Sequence, residues 1–570
     1  MTEEQPGRSD LSAWWGSRPQ NFYDAGPNLA RVLDRWVGEA AREKMEPALR
    51  EFGAAVASVV EPAVVTLEAH REFPAHVAYD GIGRPLEAIE FHPAYEVAGH
   101  AIWASGMLSA GRDGPGPFEL SALFYLLTHA GEGGHACPVV CTAGAIRALE
   151  HRGSQALRDR FLPGLHARDY GSCLRASQFL TEVQGGSDVG ANVARAVPDP
   201  AVVDGWRLSG EKWFCSVADA GLFVVTARPE GASSGTRGLG CFAVPRSIDG
   251  TTPNGFRIRR LKDKLGTRAM ASAEIDFDGA LGWAIGPVDE GFHVAVEELL
   301  NTSRWLNAVG STGIMRRAYL EASSFARQRR AFGVAVASFA PVREQLAIMK
   351  SEEHAALSST MALTGLVARL DDGQADETVA GTHRFLVNAN KYITSIAATD
   401  VARRGIEVLG GNGTIEDFSA LPRLYRDAIV FESWEGTHNV LCAQVLRDCV
   451  RLGILDHMLT WLRTELERTT ATGPDHETVA GALQALEPRM RRSIADPGHG
   501  GAHFRRQLEQ LMGVAQATCL LTEAAAEGAG TAKAAATSLF VRRHLVIGHQ
   551  PDDDPEWLPI VDATLAGDAG

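Results

Sequence analysis

The feature that most constrains this chain is a change of hydrophobic period, from helical to strand-like and back again, along one polypeptide. Leu29, Val32, Leu33 and Trp36 recur three and four residues apart, the signature of one helical face, and residues 28–168 read as mostly helical. Gly131 to Leu149 reads as a buried helix. Near Ser172 the texture changes. Val202-Val203-Asp204-Gly205-Trp206-Arg207-Leu208 places Asp-Gly between apolar residues, a hairpin signal. Leu222 to Thr226 and Cys241 to Pro245 are short apolar runs. Ala271 to Asp278 alternates, with Ala271, Ala273, Ile275 and Phe277 on one face and Ser272, Glu274, Asp276 and Asp278 on the other. Period two with one wet face predicts an antiparallel sheet. After Glu290 the helical period returns through Leu306, Gly310, Ile314, Ala318, Ala322 and Phe325.

This order predicts an α+β fold: an N-terminal arm and helical domain over 1–171, a central antiparallel β domain over 172–290, a C-terminal helical bundle over 291–450, and a helical extension with an acidic tail over 451–570. Residues 1 to about 30 read as a loose arm whose Trp14, Trp15, Phe22 and Tyr23 dock on a neighbouring surface. No period of about 20–50 residues recurs, so the chain is not a solenoid.

Composition excludes several classes. With 45% hydrophobic and 22% charged residues over 570 positions, the chain is neither disordered nor fibrous. No run is expected to approach the roughly 18 apolar residues of a membrane span, so no membrane association is expected. Met1 to Asp10 is polar and acidic, unlike a secretory leader, and a cytoplasmic location is expected. Eight cysteines are too sparse for a disulfide scaffold. Cys137 and Cys141 form a C-x3-C pair with no second pair at zinc spacing, which reads as two small buried residues and no metal site. A net charge of −15 argues against a surface that attracts phosphate throughout.

Five segments carry chemistry. Gln178 to Asp188 joins hydroxyls (Thr181, Ser187) to the pair Gly185-Gly186 at the entrance of the β domain. Glycines let backbone N–H groups approach a ligand, although such a turn is by itself commonly a capped tight turn. Gly210 to Ser216 is a strand whose alternation puts Phe214 and Ser216 on one face, suited to stacking on a flat ring and bonding its edge, or to plain core packing. In Gln328-Arg329-Arg330-Ala331-Phe332-Gly333 an arginine fork suits a pyrophosphate, or a basic helix end stopped by Gly333. The fourth segment is Glu407 to Gly413. In the fifth, Trp434 to Asn439, Glu435 sits between a bulky aromatic and a glycine, a setting that burial would turn into a base.

In this order, and on a helix–sheet–helix layout, these segments resemble the acyl-CoA dehydrogenase superfamily over about Ser172 to Arg447. Phe91-His92-Pro93-Ala94-Tyr95, Lys212-Trp213-Phe214 with Ser216, Leu261 to Gly266, Leu421 to Arg426 and the helical extension are similar to the alkylation-response AidB-type flavoproteins.

The resemblance implies FAD between the β domain and the C-terminal helical domain. Gln178, Leu180, Thr181 and Ser187 would contact the flavin and its pyrophosphate, Phe214 would pack beside the ring system, and Ser216 would bond near flavin N5. Phe and Ser stand where the family commonly has Trp and Thr. The adenosine end would be held across a subunit contact by Arg329 and Phe332, by Gly410, Gly411 and Gly413, and by Thr437 and Asn439. A homodimer or homotetramer follows. Glu435 matches the catalytic base that takes the α-proton of an acyl thioester while hydride passes from the β-carbon to flavin N5. Arg304 and Trp434 would border the substrate; Asn301 and Trp434 depart from the usual aspartate and tyrosine. The electron acceptor is not implied.

Two further functions remain open at this point. One is an AidB-type DNA-binding, protective flavoprotein with weak dehydrogenase activity. Residues 451–550 hold eleven Lys or Arg against ten Asp or Glu, and the tail adds six acids. Even with the pairs Arg491-Arg492, Arg505-Arg506 and Arg542-Arg543, that is a poor electrostatic footprint for a duplex. The other is a flavin oxidase or monooxygenase on the same fold, prompted by Asn301 and Trp434.

Overall fold

The computed structural model describes residues 6–109, 116–469 and 472–567. Met1 to Gln5 of the expected arm and the last three residues of the expected tail lie outside them. Two compact units emerge, each assembled from separate stretches of chain: one from residues 1–57, 116–131 and 307–570, the other from 58–115 and 132–306.

The second unit is built on strands. A hairpin of β1 (Ala75–Tyr79) and β2 (Pro85–Glu90) interrupts the stretch expected to be mostly helical. Its turn is closed by Asp80, whose carboxylate accepts from the backbone N–H groups of Ile82 and Arg84 at 2.9 Å each. The main sheet comprises β3 (Ala176–Phe179), β4 (Arg195–Pro198), β5 (Gly205–Ser216), β6 (Leu222–Pro229), β7 (Gly240–Pro245), β8 (Phe256–Leu261) and β9 (Ser272–Ala284). The pairings β6–β4–β5–β9–β7–β6 close into a ring, with β3 added along β6 and β8 along β9. The sheet is not purely antiparallel, as expected, because β3 and β4 both run parallel to β6. A loop out of the sheet returns each of these strands in the same direction as β6, which a hairpin cannot do.

The β4–β5 hairpin forms, but its first strand is Arg195–Pro198 rather than Val202-Val203. Pro200 lacks an N–H for the ladder, so the chain bulges out and turns back at Asp204, where φ is +53°. In β9 the apolar face is buried as expected, around Phe179, Phe223, Ile275 and Phe277. The opposite face is not uniformly wet: Ser272 and Glu274 are buried too, Glu274 under Arg260 and Lys262. Each fully buried phenylalanine contributes about 1.5–3 kcal/mol relative to exposure. The helix predicted from Gly131 starts only at Ala136 and runs to Arg152. Gly133 and Gly134 precede it with φ of +61° and +85°, outside helical space. Cys137 and Cys141 sit one turn apart on it, buried, with sulfurs 3.8 Å apart.

The first unit is helical. Helices Ala340–Asp371, Glu377–Leu409 and Leu421–Ser433 pack with the Asn301–Gln328 helix, whose Ile314, Ala318, Ala322 and Phe325 are buried as their spacing predicts, and His438–Leu452 packs on Glu377–Leu409. The extension continues as Ile454–Arg468, Pro474–Ala495, Pro497–Glu527 and Ala532–Leu545. At the N-terminal end the arm's aromatics dock as expected, Trp14 stacking on Phe418 with ring centroids 4.9 Å apart, although Pro6–Gly16 is a helix rather than a loose segment. The tail includes the helix Trp557–Leu565, and Trp557 is buried with its Nε1 donating to Glu344 at 2.7 Å. In both cases a buried tryptophan anchors a locally polar segment.

One helical stretch also corrects the reading of apolar runs. Glu39–His70 contains an 18-residue window of mean hydropathy 1.5, long and apolar enough to cross a membrane by length and composition alone; 39% of that window is buried within the protein.

Candidate active site

On the strand-bearing unit the loop after β3 is tied down by a buried ion pair. Lys212 on β5 is fully buried, and its Nζ donates to Glu182 Oε1 at 2.9 Å and to the Leu180 carbonyl at 3.3 Å. Burial pushes the lysine's proton affinity down, and the Glu182 carboxylate opposes that shift. Glu182 also accepts from the Val193 N–H at 2.7 Å, and Asn192 donates to the Leu180 carbonyl at 2.7 Å. Leu180 is thereby fixed through its backbone. Thr181 is joined to β5 by its carbonyl, which accepts from the Trp213 N–H at 2.9 Å. Gly186 lies so close that an added Cβ would come within 2.6 Å of Thr181 Oγ1, so a larger residue there would displace the Thr181 hydroxyl. Ser187 is exposed.

The β5 strand carries a bulge between Lys212 and Cys215, which turns Lys212 inward and Phe214 outward. Phe214 is 53% exposed and Ser216 half-buried, with Cys215 buried between them, so the expected shared face is present. The Ser216 hydroxyl lies 3.1 Å from that of Ser272, which accepts from Lys264 Nζ at 3.0 Å. Lys262 Nζ stands 3.7 Å from the Trp213 ring centroid and 4.7 Å from that of Phe214. Gln178 is less available than expected: its amide donates to the Cys141 carbonyl at 3.3 Å, and its Oε1 accepts from Ser303 at 3.4 Å. Arg304 is buried on the same unit.

On the helical unit Glu435 occupies a four-residue link between Leu421–Ser433 and His438–Leu452. Its φ is +58°, a conformation that costs a non-glycine residue on the order of 1–3 kcal/mol. The link is braced from below. Lys391, buried in the Glu377–Leu409 helix, donates to the carbonyls of Glu432 and Gly436, each at 3.0 Å, and so brackets Glu435 on both sides. Burial works to raise the Glu432 carboxyl, but hydrogen bonds from His438 at 2.9 Å and from Thr399 outweigh it and hold the group below the usual range. Trp434 packs on Phe431 at 4.6 Å, and its buried Nε1 has no hydrogen-bond partner among the described residues. Glu435 itself is half-buried rather than enclosed in the apolar pocket expected for it.

The remaining sequence-predicted residues of this unit fall into three places. Gly410 and Gly411 border open space, with φ of +62° at Gly410, while Gly413 lies against Ile406. Thr437 stands at the N-cap position of the His438–Leu452 helix without a side-chain capping bond and is exposed; Asn439 accepts from Arg505 at 3.2 Å. Arg329 is drawn to the N-terminal helix, where it donates to the Gly7 carbonyl at 3.2 Å. Gly333 is not a helix stop, since the helix ends at Gln328. Arg330–Ala331 and Val334–Ala335 then form a small hairpin. Phe332 and Gly333, both with positive φ, make its turn, and Phe332 is 97% exposed.

Sequence reasoning missed Lys391, Lys212 and Glu182 as organisers. The available signal was weak: a lysine inside an apolar helical or strand face, which without the fold reads as a residue whose charge reaches solvent.

The acyl-CoA dehydrogenase C-terminal domain matches residues 289–449, the acyl-CoA dehydrogenase middle domain 177–280, and the adaptive response protein AidB N-terminal domain 18–172. AidB of Escherichia coli (strain K12) is 35% identical over 390 residues, which covers 66% of this chain and 69% of that relative. The chain belongs to the acyl-CoA dehydrogenase family. The chain is also 31% identical over 452 residues to acyl-CoA dehydrogenase family member 11 of Caenorhabditis elegans, covering 76% of this chain and 71% of the relative. The crystal structure of Caenorhabditis elegans ACDH-11 in complex with C11-CoA matches with a TM-score of 0.85 at 26% identity, covering 96% of this chain and 95% of that one. The Bacillus anthracis acyl-CoA dehydrogenase complexed with FAD shares the fold, with a TM-score of 0.71 at 19% identity over 93% and 92% of the two chains. The family is one of FAD-dependent oxidoreductases acting on CH–CH groups, and this acyl-CoA dehydrogenase is one of them.

Proposed function

We propose that the enzyme oxidises an acyl thioester between its α- and β-carbons, with Glu435 as the base that removes the α-proton. The carrying observation is Glu435 held at positive φ in a short link whose two flanking carbonyls are fixed by buried Lys391. A carboxylate kept at one place by a rigid backbone loses little entropy when it meets its proton.

The residues present fit FAD. A half-exposed phenylalanine beside a hydroxyl on one strand face offers a ring and an edge donor, and Gly186 packs closely on the Thr181 hydroxyl in the adjoining loop. Gln178, Leu180, Thr181, Ser187, Phe214 and Ser216 would hold the flavin half. Arg329, Phe332, Gly410, Gly411, Gly413, Thr437 and Asn439 would hold the adenosine half across a subunit contact, in a homodimer or homotetramer. An aromatic 97% exposed at a hairpin tip supports that contact. FAD, when bound, supplies the acceptor for the hydride leaving the β-carbon. Glu435 takes the proton; Arg304 and Trp434 would border the acyl group.

Duplex DNA ranks lower as a partner. Arg491, Arg505, Arg542 and Arg543 of the extension are already paired with carboxylates. The test is anaerobic titration of the purified yellow protein with short, branched and long acyl-CoAs. Wild type is bleached by at least one of them, and Glu435→Gln retains its flavin but reduces it about 10²–10⁴-fold more slowly. A colourless wild type, or a variant bleached as fast as wild type, refutes the assignment.

A further inference from the structure

The three arginine pairs of the extension do not behave as pairs. Adjacent residues on a helix point about 100° apart, so each side chain meets its own surroundings. Arg491 faces Asp456 and Glu487, whereas Arg492 has no ion pair among the described residues. Arg505 faces Glu509; Arg506 meets only His503, at 3.0 Å. Arg489 likewise has no carboxylate partner and donates to Gln510 at 3.0 Å.

These three unneutralised arginines border one cavity of about 350 Å³ between the helices Pro474–Ala495 and Pro497–Glu527, together with His499 and His503. The two helices approach closely because residue 500 is glycine; a Cβ there would come within 2.3 Å of the Ser493 carbonyl. Asp496, at the junction between them, uses its carboxylate to cap the second helix at the His499 N–H. The cavity is lined at depth by Gln507 and Ser493, which are only 6% and 5% exposed. The Gln507 Oε1 is buried without a partner, and neither side chain makes a hydrogen bond to the described residues. Two buried polar side chains with open hydrogen-bonding capacity, beneath three unpaired guanidinium groups, are the complement of an anion that also carries hydroxyls.

We propose that this cavity binds a compact phosphate ester, with the phosphate among Arg489, Arg492 and Arg506 and a hydroxyl of the ester reaching Gln507 and Ser493. The cavity volume suits a mononucleotide or sugar phosphate. The site is independent of the flavin chemistry, so it can stand or fall without it.

The experiment is calorimetric titration of the intact yellow protein with inorganic phosphate and with adenosine monophosphate, alongside a short DNA duplex. Both phosphates should bind saturably at one site per chain, adenosine monophosphate more tightly. The double variant R492A/R506A should weaken both at least about tenfold, from two lost charge-assisted hydrogen bonds. Gln507→Leu should weaken adenosine monophosphate while sparing inorganic phosphate. Arg491→Ala, whose guanidinium is already paired, should change neither. Unchanged flavin content and circular dichroism exclude unfolding as the cause. The proposal is overturned if neither small phosphate binds saturably, if R491A weakens binding as much as the double variant, or if the duplex alone binds.

Discussion

The Nζ of Lys391 lies 3.0 Å from the carbonyl oxygen of Gly436, the residue that follows Glu435. A second bond of equal length reaches Glu432, three residues before Glu435. The last carbonyls of a helix have no intrahelical donor, and here a buried ammonium supplies one. The same contact sets where the backbone of the proposed base can go.

Lys391→Met keeps the volume and removes the donor. Two buried carbonyls then lose a charged partner, and unfolding free energy should fall by about 3–5 kcal/mol, measured by urea denaturation of the flavin-loaded protein. Flavin content should persist while kcat drops more than KM rises, because the base is displaced rather than the substrate. A variant with wild-type kcat would show that the bracket around Glu435 has no catalytic consequence.

The ion pair of Lys212 with Glu182 predicts a different failure. Breaking a buried pair from one side leaves an uncompensated charge, so Glu182→Gln should cost about 3–5 kcal/mol. The backbone N–H groups of Val193 and Ala194, now bonded to Glu182, lose a charged acceptor as well. The loop through Thr181 should loosen, and the variant should purify with less flavin than wild type. Equal flavin content and equal stability would contradict this account of the loop.

Acid should weaken one tie of the extension. Burial would raise the Glu352 carboxyl, but His544 at 2.7 Å and Arg543 outweigh burial and hold it at about 2, against 4.5 for a free glutamate. A carboxylate with a depressed folded-state pKa contributes stability that is present above its unfolded value and is lost as pH falls toward the folded one. This tie between the helices Ala340–Asp371 and Ala532–Leu545 should therefore weaken between about pH 4.5 and pH 2. Hydrogen exchange of Ala532–Leu545 should accelerate over that window. Glu352→Gln should exchange faster at neutral pH and show a flatter acid response.

Residue pattern alone settled the class of the central β segments and of the long C-terminal helices, but not of the β1–β2 hairpin, which lies in a stretch that reads as helical. The alternation of Ala273, Ile275 and Phe277, the four-residue spacing from Leu306 to Phe325, and the Gly-Gly and Trp-Glu-Gly motifs are local. Periodicity depends only on which residues a strand or helix must bury. The same locality explains why the family was legible. The motifs around Thr181, Phe214, Phe332 and Glu435 are short, and each lies within one element or turn.

What the pattern did not reveal was long-range. Parallel pairing of β3 and β4 with β6, the docking of Trp14 on Phe418 and of Trp557 beside Glu344, and the bond between Ser303 and Gln178 join residues far apart in sequence. Buried charge was the least visible of all. Lys391 and Lys212 read as solvated residues until the fold surrounds them, because a lysine's partner is chosen by packing and not by its neighbours in the chain. Sequence by itself determined most of the elements and the chemistry they can carry. Only tertiary structure decided which carbonyls, carboxylates and unpaired guanidinium groups meet, since desolvation and distance set those energies and neither exists before the chain has folded.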